Sequence, residues 1–273
     1  MQAIDWNEKW LQDRGSACWK ARPPESWNNR AEAFARRTSR SLYAGRFIEL
    51  LQPQPEWSVL DMGSGPGTLA LPLAERVRRI TAVDFSSSML ELLRQQATAR
   101  GLDNITTIEA SWDDDWSARG IKMHDLAIAS RSLSVKDLRQ ALEKLDRIAR
   151  VAVYLSDRVG PGPFDPAAYA ALGRELKPGP DYIYTINLLH QMGMLPRVDY
   201  IELDEPQLYG TLDEAVRNYS WMFKDLSPEE TSRLRDYIER QATTAPDGQL
   251  VVQRDRPPVW ALIWWPVRSS LRR

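Results

Sequence analysis

The sequence predicts an α/β protein with a seven-stranded, mostly parallel, doubly wound sheet. From Trp57 onwards, short apolar runs alternate with helical stretches along the chain. Parallel strands need long crossover connections, so this alternation is typical of a parallel sheet with helices on both faces. A glycine-rich turn also follows the first apolar run directly, and ligands of such sheets bind beyond the carboxyl ends of the strands.

Each predicted strand is a short apolar run bounded by polar or turn-forming residues. The runs lie at 57–60, 80–83, 105–108, 126–129, 151–155, 198–203 and 259–265. The helices predicted between them include 69–78, a helix that a capping box at Ser88 opens and Gly101 ends, and 135–150. The loops after residues 62, 84, 111, 130 and 155 are therefore the places where we expect chemistry.

The same pattern divides the chain into four parts. Residues 1–55 are predicted as an N-terminal helical cap, 56–205 as the core, 206–257 as a helical insertion and 258–273 as the last strand and tail. Helices near 212–223 and 228–241 give the insertion apolar, aromatic faces. These faces would serve either as a lid over the site or as a homodimer interface.

Composition excludes several classes of function. Lysine and arginine number 36 against 37 acidic residues, so the charge does not favour a nucleic-acid partner. One cysteine permits no internal disulfide, and beside only two histidines it makes a metal site improbable. No apolar run reaches the roughly 18 residues of a membrane span, and we expect a cytoplasmic location.

The segment from Asp61 to Thr68, with the sequence DMGSGPGT, is the most informative part of the chain. A dinucleotide-binding turn has the spacing Gly-x-Gly-x-x-Gly, which would require a third glycine where Thr68 stands. A pyrophosphate also needs a positive turn, which the anionic Asp61 would oppose. A ligand with an ammonium group would instead be attracted. The dinucleotide interpretation is therefore disfavoured.

This segment resembles the first motif of the class I S-adenosylmethionine-dependent methyltransferases, an apolar strand followed by Asp or Glu-x-Gly-x-Gly-x-Gly. The resemblance implies a Rossmann-like fold and S-adenosylmethionine as cofactor, with S-adenosylhomocysteine as product. It implies that the methionine end of the cofactor is lined by Asp61, Gly63, Ser64, Gly65 and Gly67.

The second and third motifs of the family add the ribose and the adenine. Asp84 ends the second strand nineteen residues after Gly65, where the family has an acid for the ribose hydroxyls. Phe85 would pack either on the adenine ring or in the core. For the adenine amino group, the position expected to be acidic falls on Ser111; Ser111 with the Trp112 backbone N–H is the first choice, and Asp113 the alternative.

The fourth strand indicates the kind of acceptor. Enzymes that methylate amino groups of bases or glutamine share an Asn/Asp-Pro-Pro-aromatic run there, whereas this chain has Ser130-Arg131-Ser132-Leu133. Ser130 is predicted to contact the cofactor. Arg131 and Arg158 are substrate candidates, each with a surface ion pair as the alternative.

The N-terminal cap contains a segment similar to one that folds over the cofactor in small-molecule methyltransferases. It makes Trp27, Arg30 and Tyr43 further substrate candidates. The predicted function is methyl transfer to a small molecule, with the catalytic residue unassigned. An RNA or protein methyltransferase and a non-catalytic cofactor-binding regulator remain open.

Overall fold

The computed structural model describes residues 4–14, 24–28, 31–38 and 41–267. Before the first strand, these residues form α1 (Trp6–Arg14), α2 (Pro24–Asn28), α3 (Ala31–Thr38) and α4 (Tyr43–Leu51). The alternating region contains β1 (Ser58–Met62), α5 (Ala70–Ala74), β2 (Arg79–Asp84), α6 (Ser87–Ala99), β3 (Ile105–Glu109), β4 (His124–Ser130), α7 (Leu138–Ile148) and β5 (Ala149–Arg158). The rest contains α8 (Pro166–Ala171), α9 (Tyr182–Gln191), β6 (Arg197–Glu202), β7 (Gln207–Tyr209), α10 (Leu212–Ser220), α11 (Pro228–Gln241), β8 (Ala242–Thr244), β9 (Leu250–Val252) and β10 (Val259–Pro266).

The main sheet has seven strands in the order β3-β2-β1-β4-β5-β10-β6. The neighbouring strands from β3 to β5 pair in parallel, and β10 runs antiparallel to both β5 and β6. The predicted seven-stranded, mostly parallel sheet is confirmed. The strand order reverses between β1 and β4, and we call the ends of β1, β2, β4 and β5 beside this point the carboxyl edge.

Alternation along the strands divides the core between two faces. On β1, Val59 belongs to the cluster under α4, α5 and α6, whereas Leu60 belongs to the cluster under α1, α7 and α9. Both residues are fully buried. Helices therefore cover both faces of the sheet, and the strand ends are left to form the site.

A third hydrophobic cluster lies within the predicted insertion and includes part of the chain before it. Tyr219, Phe223, Tyr237 and other apolar residues of 206–257 pack with Phe164 and Tyr169 at α8. The insertion was predicted as helical, but it also contains a three-stranded antiparallel sheet in the order β7-β9-β8. We call residues 164–176 and 206–257 together the C-terminal unit.

Three predicted helix boundaries are wrong. The N-cap of α6 is Ser86, whose hydroxyl accepts from the Met89 N–H, and not Ser88. Helix α7 begins after its N-cap Asp137 and not at residue 135, because the Asp137 side chain accepts from the Gln140 N–H. Helix α5 is limited to five residues, where 69–78 was predicted.

The described residues contain no helix long and apolar enough to cross a membrane. Within the same ranges, no group of three or more His, Cys, Asp or Glu side chains could hold a metal ion. Arg30 lies outside the described residues.

Candidate functional site

The glycine turn joins β1 to α5 at the carboxyl edge. The backbone N–H groups of Gly63 and Ser64 both donate to the Val83 carbonyl, which fixes the turn against β2. Gly65 has a φ of 55°, and a Cβ built on it would lie near only Phe34, at 3.9 Å. The backbone there is open to close approach by a ligand.

The other two glycines of the turn face protein atoms. A Cβ on Gly63 would lie 2.4 Å from the Cβ of Ser132, and one on Gly67 would lie 2.4 Å from Leu93 Cδ1. Glycine is therefore required at both positions by packing. Of the three predicted cofactor-lining glycines, Gly65 has the most open surroundings.

Asp61 is buried at the carboxyl edge without a hydrogen-bond partner for one carboxylate oxygen. It is 2% exposed, and its Oδ2 is unpaired within the described part of the chain. Burial, and after it the charge of Asp84, raises the pKa of Asp61 to about 7. Buried charged groups are normally paired, so this carboxylate is suited to accept a cation or a hydrogen-bond donor from a ligand.

Asp84 supports the turn from the end of β2. Its Oδ2 accepts from the Gly65 N–H at 2.8 Å, and its Oδ1 accepts from the Ser86 N–H at 2.9 Å. Burial raises the pKa of Asp84, and the backbone N–H groups around it act in the opposite direction. Each carboxylate oxygen still has a second lone pair that a ligand hydroxyl could use.

Tyr43 connects α4 to the ends of β4 and β5. It is fully buried, and its hydroxyl lies 2.8 Å from the Ser130 Oγ and also hydrogen-bonds the Ser156 Oγ. Burial raises the pKa of Tyr43, so the phenol remains neutral. The predicted substrate candidate Tyr43 and the predicted cofactor contact Ser130 therefore lie together, and Ser156 joins them.

Arg131 follows β4 directly and lies beside Tyr43. Its guanidinium carbon is 4.0 Å from the centre of the Tyr43 ring and 5.6 Å from the Trp260 ring. Burial lowers the pKa of Arg131, but arginine keeps its charge because its ordinary pKa is at least about 12.5. This side chain places a cation at the carboxyl edge.

Arg158 has a different environment at the end of β5. Its Nε and Nη2 both donate to the Pro180 carbonyl, at 3.1 and 2.6 Å. The neighbouring Asp157 accepts from the Arg158 N–H and the Thr185 hydroxyl, and burial raises its pKa to about 6. Arg158 thus uses two of its five N–H donors to hold the loop before α9.

Residues of the N-terminal cap pack against the glycine turn. Trp27 packs edge-on against Phe34, with ring centres 5.8 Å apart, and Phe34 approaches Gly65. The Asn28 side-chain oxygen accepts from the Ser86 hydroxyl at 2.6 Å. The cap therefore lies over the turn between β1 and α5 and beside the end of β2.

Among the predicted adenine contacts, Ser111 already has protein partners, as does the indole of Trp112. The Ser111 N–H donates to Asp114, its hydroxyl accepts from the Asp113 N–H, and the Trp112 indole donates to the Ser132 carbonyl. Asp113 itself is exposed, and Phe85 is half-buried. The segment is folded on itself beside the site.

Several site residues were not predicted from the sequence. Ser132 donates to the Met62 carbonyl and packs on Gly63, and Ser156 bonds Tyr43. Glu109 lies opposite Asp84 in the strand register, at the exposed end of β3. None of these residues falls on a position that the sequence motifs single out, so only the fold shows where they lie.

Comparisons with known proteins agree with this geometry. Residues 59–151 match the family described as a methyltransferase domain. Over 251 residues, the chain is 33% identical to an uncharacterized protein of Haemophilus influenzae, and the match covers 90% of each. A Haloferax volcanii chain solved in complex with the Trm112 methyltransferase activator has the same fold, with a TM-score of 0.55, 14% identity and coverage of 91% of this chain and 99% of that one.

Two shorter matches are to enzymes with named reactions. One is the ubiquinone/menaquinone biosynthesis C-methyltransferase UbiE of Zymomonas mobilis, 29% identical over 115 residues, which are 40% of this chain and 45% of that one. The other is the 23S rRNA (uracil(1939)-C(5))-methyltransferase RlmD of Photobacterium angustum, 38% identical over 68 residues, which are 25% and 31% of the two chains. The chain belongs to the class I S-adenosylmethionine-dependent methyltransferases.

Proposed function

We propose that S-adenosylmethionine binds at the carboxyl edge, with its ammonium group on Asp61, and that its methyl group passes to a small molecule. The unpaired Oδ2 of Asp61 is the observation that carries the proposal. A protein gains little by burying an unpaired carboxylate, whereas a bound ammonium would supply both charge and donors. A neutral donor would supply only the hydrogen bond, so an ammonium group fits this position better.

The remaining parts of the site fit the rest of the same ligand. Asp84 has free lone pairs for the ribose hydroxyls, and Gly65 leaves its backbone open. The buried Ser64 hydroxyl also lacks a partner among the described residues and offers a further hydrogen bond. Glu109, beside Asp84 in register, offers an acceptor for the adenine amino group in place of Ser111.

When bound, the cofactor would supply an electrophilic methyl group on a sulfonium, with the neutral thioether as leaving group for an acceptor lone pair and with any acceptor proton lost to solvent or a base. The chain positions the two partners and excludes water, which can lower the barrier by several kcal/mol. Tyr43, fixed by Ser130 and Ser156, forms a rigid wall at the ends of β4 and β5. Trp27 and Phe34 cover the turn.

A small-molecule acceptor is supported by the N-terminal cap over the glycine turn and by a net charge of −1. UbiE, with which the chain shares 115 aligned residues, is a methyltransferase of quinone biosynthesis by name. The short likeness to RlmD favours RNA as the second candidate. RNA binding would require a basic surface and would weaken steeply with salt. The RNA candidate would be supported if the protein is retained on heparin at low salt and released at roughly 0.2 M salt.

Calorimetric titration of S-adenosylhomocysteine and NAD tests the cofactor. We expect S-adenosylhomocysteine to bind and to raise the melting temperature, and NAD to do neither, because a ligand selective for the native state stabilises it. Asp61→Asn should weaken S-adenosylhomocysteine binding by about tenfold or more, the equivalent of about 1.4 kcal/mol. Asp125→Asn is the matched control, because Asp125 lies at the opposite end of the sheet, bonded to Ser58. Tight NAD binding without S-adenosylhomocysteine binding would overturn the proposal.

A further inference from the structure

Arg131 is held in an unusual backbone conformation at the end of β4. Its φ is +53°, in the left-handed region that residues other than glycine rarely adopt. Its N–H donates to the Ser156 Oγ at 3.0 Å and lies 3.2 Å from the Ser156 carbonyl. Such strain persists only where the surroundings fix it, and it is concentrated at functional sites.

The guanidinium of Arg131 is supported by aromatic rings. It lies over Tyr43, which is fully buried, and near Trp260, which is 9% exposed. Tyr43 is in turn fixed by hydrogen bonds to two serines. The stacking holds the planar head group in one place while its edge, which carries the N–H donors, remains available.

The charge of Arg131 is uncompensated within the described residues. No carboxylate lies within 4.0 Å of it there, and no acceptor binds its guanidinium. Two other half-buried arginines do have partners: Arg158 donates to the Pro180 carbonyl, and Arg174 pairs with Glu230 at 2.6 Å. A half-buried cation without an anion indicates that a ligand supplies the anion.

Arg131 and Asp61 place two opposite charges at different points of the carboxyl edge. Asp61 pairs in register with Ile128 on the neighbouring strand, and Arg131 follows three residues later. Asp61 and Arg131 form no ion pair, so each is available to a ligand group of opposite charge. If the cofactor ammonium lies at Asp61, the cation at Arg131 lies at the end of β4, where an acceptor would enter.

We propose that Arg131 binds a carboxylate of the methyl acceptor, so that the substrate is a small carboxylic acid. The inference rests on the proposed function, because it assigns the acceptor to the space beside the bound cofactor. The planar fork of arginine matches the two oxygens of a carboxylate and fixes its orientation as well as its position. Arg131 thereby selects anionic acceptors and aligns them for attack.

Benzoate is the probe for this site, with benzamide as its neutral counterpart. Each is titrated into the wild-type protein, alone and saturated with S-adenosylhomocysteine, and binding is followed by NMR chemical shifts. We expect benzoate to bind and benzamide not to bind. Arg131→Met, which keeps the length of the side chain, should weaken benzoate binding by about tenfold or more, and Arg131→Lys by less, because it keeps the charge but loses the fork.

Arg197→Met is the matched control, because Arg197 is an exposed arginine stacked 4.8 Å from the Trp264 ring, away from the carboxyl edge. It should leave benzoate binding unchanged. Equal benzoate binding by wild type and Arg131→Met overturns the proposal, as does a wild-type protein that binds no benzoate. These titrations without S-adenosylhomocysteine test Arg131 even if the proposed cofactor does not bind.

S-adenosylmethionine has a carboxylate of its own, so the carboxylate at Arg131 could belong to the cofactor instead of the acceptor. Affinity for S-adenosylhomocysteine is therefore compared with affinity for methylthioadenosine, which lacks the amino-acid end. If Arg131 serves the acceptor, Arg131→Met leaves both affinities unchanged. A loss confined to S-adenosylhomocysteine would assign Arg131 to the cofactor carboxylate and overturn the acceptor proposal.

Discussion

Asp61 and Asp84 lie at the carboxyl ends of neighbouring parallel strands, and burial together with the charge of Asp84 raises the pKa of Asp61 to about 7. The two carboxyl groups differ in their partners. Asp84 accepts from two backbone N–H groups, whereas Asp61 leaves an oxygen unpaired. The site therefore has one carboxyl group that holds the turn and another whose ionisation near neutral pH can change when a ligand binds.

Ligand affinity should depend on pH through Asp61. An ammonium group binds the ionised carboxylate, and the free protein has this group half-protonated near pH 7. Affinity for S-adenosylhomocysteine should therefore rise from about pH 5.5 to about pH 7.5, a range in which an amine stays largely protonated. Calorimetry across this range measures the slope, and Asp61→Asn should remove most of it. A slope that the variant retains would assign the titration to another group.

The Asp61 carboxyl should lower the stability of the ligand-free protein at higher pH. The folded-state pKa of Asp61 lies above its unfolded value near 3.8, so the folded state binds the extra proton between these values. Stability from this source is lost as pH rises through that window. At about pH 8, the free energy of unfolding of Asp61→Asn should exceed that of wild type by about 1–3 kcal/mol, and at about pH 4 the difference should shrink. Urea unfolding at both pH values is the measurement.

Asp84 should contribute to both ligand binding and folding. In Asp84→Asn, one of the two N–H groups of Gly65 and Ser86 loses its carboxylate acceptor. The proposed ribose contact also loses its negative charge. We expect S-adenosylhomocysteine affinity to fall by about 1.5–3 kcal/mol and stability to fall by about 1–3 kcal/mol. Asp125→Asn should lose stability alone, because its partners Ser58, Arg78 and Arg150 are far from the turn. Unchanged affinity in a folded Asp84→Asn protein would remove Asp84 from the site.

The Tyr43 hydroxyl should stabilise the junction of α4, β4 and β5. Tyr43→Phe keeps the ring under Arg131 and removes the hydrogen bonds to Ser130 and Ser156. A loss of about 1–2 kcal/mol in unfolding free energy is expected, because the buried Ser156 hydroxyl and the half-buried Ser130 hydroxyl lose a partner. Tyr182→Phe is the control: its hydroxyl meets Tyr200 at an exposed position, and its change should stay within about 0.5 kcal/mol.

The sequence predicted best what depends on local pattern. The apolar runs and the Asp61-Gly63-Gly65-Gly67 spacing identified β1, the turn and the parallel sheet, because burial and backbone geometry impose these patterns on every such fold. Helix α11 was also predicted correctly at Pro228–Gln241, since it has a complete capping box at Ser227 and a proline at its start.

The sequence predicted poorly what depends on distant partners. Arg131 and Arg158 were equal candidates, and only the fold shows that Arg158 bonds Pro180 while Arg131 stacks on Tyr43. Ser86 and Ser88 are both acceptable N-caps by composition, and Asp84 holds the Ser86 N–H at the strand end. Strands β7, β8 and β9 have three residues each, too short for a period of two to be recognised.

The C-terminal unit provides the last prediction, which concerns the choice between a lid and a dimer interface. Its aromatic residues are mostly used internally: Tyr169 donates to the Met222 carbonyl at 2.6 Å and Tyr237 donates to Asp165 at 2.9 Å. Arg174 and Glu230 add an ion pair between the two parts of the unit. The segments 164–176 and 206–257 should therefore respond to ligand as one body.

Hydrogen exchange with and without S-adenosylhomocysteine and benzoate tests this expectation. The unit begins just beyond the carboxyl end of β5, after the turn at 160–163. A lid there should gain protection in both segments at protein concentrations too low for self-association, because closure over a ligand reduces local opening. Helix α7 (Leu138–Ile148) is the reference, since its apolar residues pack in the core cluster that also contains Leu60. Protection that does not change with ligand but falls on dilution would identify an interface between two copies.

Because Tyr219 and Tyr237 are already buried within the unit, that interface would have to use the outer surface of the unit, where Leu208 is 55% exposed. Leu208→Lys therefore separates the two outcomes: it should abolish dilution-dependent protection and leave ligand-dependent protection unchanged.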